Sequence, residues 1–188
     1  MRGLLVAFAV VVVILLIAPA ALASRSEKEE EFEFHIGDKF LAKFGLGGAS
    51  VAQADNGDKI YIVGSGEFEV DEREAEGRGT FQHFSSTGTL IASGTWKATR
   101  LLSFVNFGGE AGLPPDLRGG TAVLKIRVVG HPAANPHSTV RFNAILTIDC
   151  EIGNFPPGFM EGITLNAGFI NFDQKVSGFN VFIAEDED

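Results

Sequence analysis

One cysteine, Cys150, stands in 188 residues, so no disulfide can form within the chain and its core must hold by packing alone. Histidines are few: His35, His83, His131 and His137. The last two share the proline loop His131-Pro132-Ala133-Ala134-Asn135-Pro136-His137, and that spacing is unlike the one-turn or tight-loop pairs that bind zinc. No His-Glu-x-x-His, no Gly-x-Ser-x-Gly elbow and no phosphate-binding glycine loop occurs. No metal site and no cofactor are therefore expected. Basic residues are outnumbered, 15 against 24 acids, for a formal charge of −9. Such a surface repels nucleic acid and anionic lipid heads, and no nucleic-acid partner is expected.

Long apolar runs are also scarce, with one exception at the start. Met1-Arg2-Gly3 is followed by the unbroken run Leu4 to Ile17 and then by Ala21-Leu22-Ala23, the order of a basic start, an apolar centre and a small-residue cleavage site. This reads as a secretory signal. The alternative is an uncleaved anchor over residues 4–22, since a span needs about 20 residues. Either way the expected location is secreted or extracytoplasmic, with membrane contact only through that segment. The expected division is residues 1–23 as signal or anchor, 24–37 as a charged spacer, 38–184 as a single β domain and 185–188 as an acidic tail. In the spacer, Glu31 to Phe34 alternates acid with phenylalanine, which is compatible with the start of a strand.

What is plentiful is phenylalanine, 17 against one Tyr and one Trp, together with 45% hydrophobic residues and 23 glycines. The phenylalanines supply apolar volume with no polar handle, either as a solid core or as the walls of a cavity. From Asp58 onward the pattern is the two-residue period of pleated strands. Ile60, Ile62, Gly64, Gly66, Phe68 and Val70 fall on one face, as do Ala122, Leu124, Ile126 and Val128, and then Phe142, Ala144, Leu146, Ile148, Cys150 and Ile152. Asn56-Gly57 marks a hairpin with a type I′ turn. Ser86-Thr87-Gly88 joins two long strands within Gly77 to Phe107, and the last strands are expected at about Glu161 to Phe172 and Val176 to Ile183. No helical period occurs after the leader. About eight or nine antiparallel strands with short turns predict an all-β barrel, with a sandwich as the alternative.

Candidate site residues come from charges that fall on apolar faces. In the second long strand Leu90, Ala92, Gly94, Trp96, Ala98, Arg100, Leu102 and Phe104 share the expected inner face, which places Arg100 inside. Glu161 falls with Ile163, Leu165, Ala167 and Phe169. Two buried opposite charges are most simply explained as partners, because an unpaired buried ion costs several kcal/mol. Trp96 is expected to be a large core residue or barrel plug whose indole nitrogen finds an acceptor. Gly94-Thr95-Trp96 resembles the Gly-x-Trp of lipocalins, but it lies inside a continuing mid-chain strand without the other motifs of that family and assigns nothing. The expected function is an exported β-barrel that binds a small apolar ligand or a protein partner. The alternatives are a metal-independent barrel enzyme in which Arg100 and Glu161 steer a hydrophobic substrate, and a structural envelope-associated protein.

Overall fold

The structure, a computed structural model, describes residues 30–185. The signal or anchor at 1–23, the start of the spacer and the tail beyond Glu185 lie outside the described residues. The described residues are nearly all antiparallel β: β1 Glu31–Ile36, β2 Ser50–Ala54, β3 Lys59–Glu69, β4 Glu74–Phe84, β5 Leu90–Gly108, β6 Leu117–Pro132, β7 Val140–Cys150, β8 Gly162–Asn166, β9 Asn171–Ser177 and β10 Asn180–Ala184. One short helix, α1 Lys39–Ala42, follows β1, with the Asp38 carboxylate accepting from the first backbone N–H groups.

The strands join in a ten-stranded sheet that closes on itself when β7 pairs with β6. The ring of 8 strands runs β2 through β9 and is not evenly disposed round one axis. The unevenness comes from β1 and β10. Strand β3 pairs with β2 over Lys59–Ile62 and with β1 over Gly64–Glu69, and β6 pairs with β7 over Gly120–Gly130 and with β10 at Leu117 and Arg118. At one end the wall is therefore completed by β2, β9, β8 and β7. At the other it is completed by β1 and β10 alone, and the barrel narrows.

The narrow end is filled by rings. Phe32 stacks on Phe68 at 5.5 Å, Phe104 meets Phe32, Phe68 and Phe182 at 4.6, 4.8 and 5.1 Å, and Phe34 lies 6.2 Å from Phe68. Each such side chain contributes about 1.5–3 kcal/mol by leaving water. This corrects the reading of 24–37 as a spacer. Residues 31–36 form β1, whose Phe32, Phe34 and Ile36 lie in the core. The outward glutamates keep the segment charged on average while its other face is wholly apolar.

Most of the expected alternation is observed. Ile60, Ile62 and Phe68 are buried, as are Ala122, Leu124, Ile126 and Val128, and Ala144, Leu146, Ile148 and Cys150. Ser86-Thr87-Gly88 makes the β4–β5 turn, with Thr89 N–H donating to Ser85 Oγ at 3.1 Å and Gly88 at φ 82°. The β2–β3 hairpin differs from the type I′ expectation. Gly57 alone takes a positive φ, 85°, and Ala54 and Asp58 close the loop around Asp55-Asn56-Gly57, the three-residue form with glycine in the left-handed position. The last expected strands, about Glu161 to Phe172 and Val176 to Ile183, are three. Ala167 N–H bonds to Ile170 C=O across a turn with Gly168 at φ 84°, which ends β8 and starts β9.

Candidate functional site

The wide end of the barrel is not filled. A cavity of about 230 Å³ lies inside it, walled by inward residues of β3 to β9 that include Ile62, Phe81, Ile126, Val128, Phe142, Leu165 and Phe172. Its rim carries Ile91, Val140 and Phe169, all exposed, Phe169 to 72%, with the Phe169 ring edge-on to Phe142 at 5.2 Å. Among the described residues no lysine, arginine, aspartate or glutamate lines it.

Trp96 separates the cavity from the aromatic plug. Its ring lies 6.5 Å from Phe34 on the plug side and also lines the cavity. The sheet makes room for the indole with glycine. A Cβ on Gly64 would come within 2.3 Å of Trp96 Cζ2, and one on Gly79, the register partner of Trp96, within 2.6 Å of Nε1. Trp96 is thus the buried core residue expected, but among the described residues its nitrogen meets no acceptor. That half of the expectation is corrected: the indole edge packs on strand backbone whose own groups are committed to the β3–β4 ladder.

The polar member of the cavity is His83, which parity places inward beside Phe81 on β4. Its Nε2 lies 3.1 Å from Asp58 Oδ2, and Asp58 Oδ1 accepts from Ser86 N–H at 3.1 Å. The imidazole is edge-on to Phe172 at 5.2 Å. The hairpin that opens β3 and the turn that ends β4 thereby orient one ring at the mouth. Neither His83 nor Asp58 was singled out from sequence. Alternation with Phe81 was the available signal for His83, whereas its meeting with Asp58 depends on the β3–β4 register.

Arg100 and Glu161 are not brought together, which corrects the pair expected from alternation. The β5–β6 register shifts between Ala98 and Arg100 and again between Leu101 and Ser103. The first shift turns Arg100 out to solvent and Leu101 into the core, and the second returns Phe104 to the inside. Arg100 borders a surface depression with Glu72, Arg73 and Glu76. Glu161 lies elsewhere, half-buried, and its carboxylate accepts from Asn180 N–H at 2.6 Å and Glu151 N–H at 3.1 Å.

Around Glu161 runs a polar network unconnected with the cavity. Asn180 donates to the carbonyls of Asp149 and Gly162 at 3.0 and 2.9 Å and accepts from Ser50 Oγ at 2.8 Å. Asp149 accepts from Thr121 Oγ1 at 2.6 Å and pairs with Lys175 Nζ at 2.8 Å. Burial raises the Glu161 carboxyl above its ordinary value, and the two backbone donors act against that. Burial likewise pushes the Cys150 thiol far up, with the Glu161 charge adding to it. Cys150 is fully buried and packs as part of the core.

Another histidine, His35, is buried against Phe40 at 4.2 Å with Nδ1 2.8 Å from Asp38 Oδ2, a contact that ties β1 to α1. Glu31, Glu67 and Glu185 place carboxylate oxygens within 4.8 Å of one another, but such acidic groupings at a surface are common without a metal.

No family model, no curated protein and no solved structure matches this chain. The functional reading therefore rests on the site itself.

Proposed function

We propose that this protein is an exported binding barrel that holds a small apolar molecule in the wide end of its ring. The observation that carries the proposal is the asymmetry of the interior. One end is packed solid with phenylalanine, while the other holds a cavity with apolar walls and an apolar rim. Apolar surface kept out of a core and arranged around a void favours a ligand that removes it from water, at about 25 cal/mol per Å² covered. The exported location rests on the N-terminal leader. The alternative of an enzyme steered by Arg100 and Glu161 has no support at this site, since neither side chain lines the cavity.

Native mass spectrometry of protein purified from its source tests the proposal. The expected spectrum shows one small apolar molecule per chain, or uptake of one when an alkane-like ligand is added. A bare chain that takes up nothing contradicts it.

A further inference from the structure

His83 sets the chemical class of that ligand. A carboxylate only accepts hydrogen bonds, so Nε2, 3.1 Å from Asp58 Oδ2, carries the proton. In the neutral imidazole the other nitrogen, Nδ1, is then an acceptor. Asp58 is itself held by Ser86 N–H, which fixes the plane and tautomer of the ring. Among the described residues Nδ1 has no hydrogen-bond partner, and it is not among the fully enclosed polar atoms. Besides the indole of Trp96, whose nitrogen is turned to the Gly79 backbone, the cavity has among the described residues one polar side chain in its wall, His83, with an acceptor that no protein donor reaches and a nearby carboxylate. A ligand anion would meet the Asp58 charge and no cation in the walls, and a ligand cation would leave water for an apolar chamber. Neither charge is accommodated.

Resting on the binding-barrel reading, we infer that the ligand is a neutral amphipathic molecule, an apolar body carrying a hydroxyl that donates to His83 Nδ1 while the body lies against Trp96. A single acceptor in an otherwise apolar wall discriminates a hydroxyl from an isosteric ether, because only the hydroxyl supplies a proton.

The test titrates the full chain with decanol, methyl nonyl ether, decane and decanoate, read by fluorescence of Trp96, the one tryptophan. Decanol is expected to bind about tenfold more tightly than the ether. His83→Phe should make the two affinities equal. In the unmodified protein the ¹⁵N resonance of His83 Nδ1 should move with decanol and not with the ether, which keeps the test decisive if the variant fails to fold. Equal affinities of alcohol and ether in the unmodified protein overturn the inference and leave the barrel a purely apolar binder. Decanoate as the tightest ligand also overturns it, since that requires a donating imidazolium. If no compound binds, the binding-barrel reading falls and the inference falls with it.

Discussion

Gly79 on β4 stands opposite Trp96 on β5, and a methyl group on Gly79 would come within 1.9 Å of the Val63 carbonyl oxygen and 2.6 Å of the indole nitrogen. The missing side chain is the seat of the tryptophan that divides the plug from the cavity. Because the nearest obstacle is backbone, repacking cannot relieve it. Gly79→Ala should destabilise by about 1–3 kcal/mol in urea unfolding, the range for overpacked cores. Unchanged stability would mean that Trp96 is not seated on this strand.

For the charges once expected to pair, the prediction is independence. Arg100 is exposed, so Arg100→Met should change stability by about 0.5 kcal/mol or less. Glu161→Leu leaves the N–H groups of Asn180 and Glu151 without their acceptor and should cost about 1–3 kcal/mol. In the double variant the effects should add. A coupling energy above about 1 kcal/mol in that cycle would restore the pair.

What could be read from the sequence was whatever depends on neighbours along the chain. The inner faces of β3, β6 and β7 followed from alternation, and the β4–β5 hairpin from Ser86-Thr87-Gly88. Arg100 was misplaced because a bulge inverts alternation, and the bulges in β5 answer the curvature of a closing wall that local sequence does not encode. Strand β1 was legible only as the alternation of Glu31 to Phe34: its glutamates lie on one face and its phenylalanines on the other, so its mean composition resembles the charged segment before it. The barrel was legible, whereas the cavity was not. Phe-rich composition suits a solid core and a lined chamber equally, and this protein builds one at each end.

Cys150 should resist a water-soluble thiol reagent in the folded protein and react quickly once denatured. Its raised folded-state pKa also has a signed consequence. Above the ordinary thiol pKa of about 8.5 the unfolded chain loses a proton that the folded chain keeps, so stability falls as pH rises, by up to about 1.4 kcal/mol per pH unit from this group. Below that pH the contribution is fully present. Cys150→Val should flatten the alkaline decline measured by denaturant unfolding. An equal slope in both proteins would show that the thiol ionises in place.

Glu161 bends stability the same way at lower pH. Its folded pKa is raised, so stability from this group is present below the ordinary carboxyl pKa and declines as pH rises through the raised value. Comparing unfolding free energies of the protein and Glu161→Gln across the acid range isolates that slope. The Gln variant should decline less steeply with rising pH, and a steeper decline would reverse the assigned direction.

Occupancy of the wide end is tested most directly by an apolar fluorescent probe titrated into the protein and into Val128→Phe, a substitution that places a ring in the cavity wall beside Trp96, its cross-strand partner. The expected result is one probe per chain, with a change in Trp96 emission on binding, and at least tenfold weaker binding in the filled variant. Equal binding by both proteins would place the probe on the exposed apolar surface and contradict a ligand chamber inside the barrel.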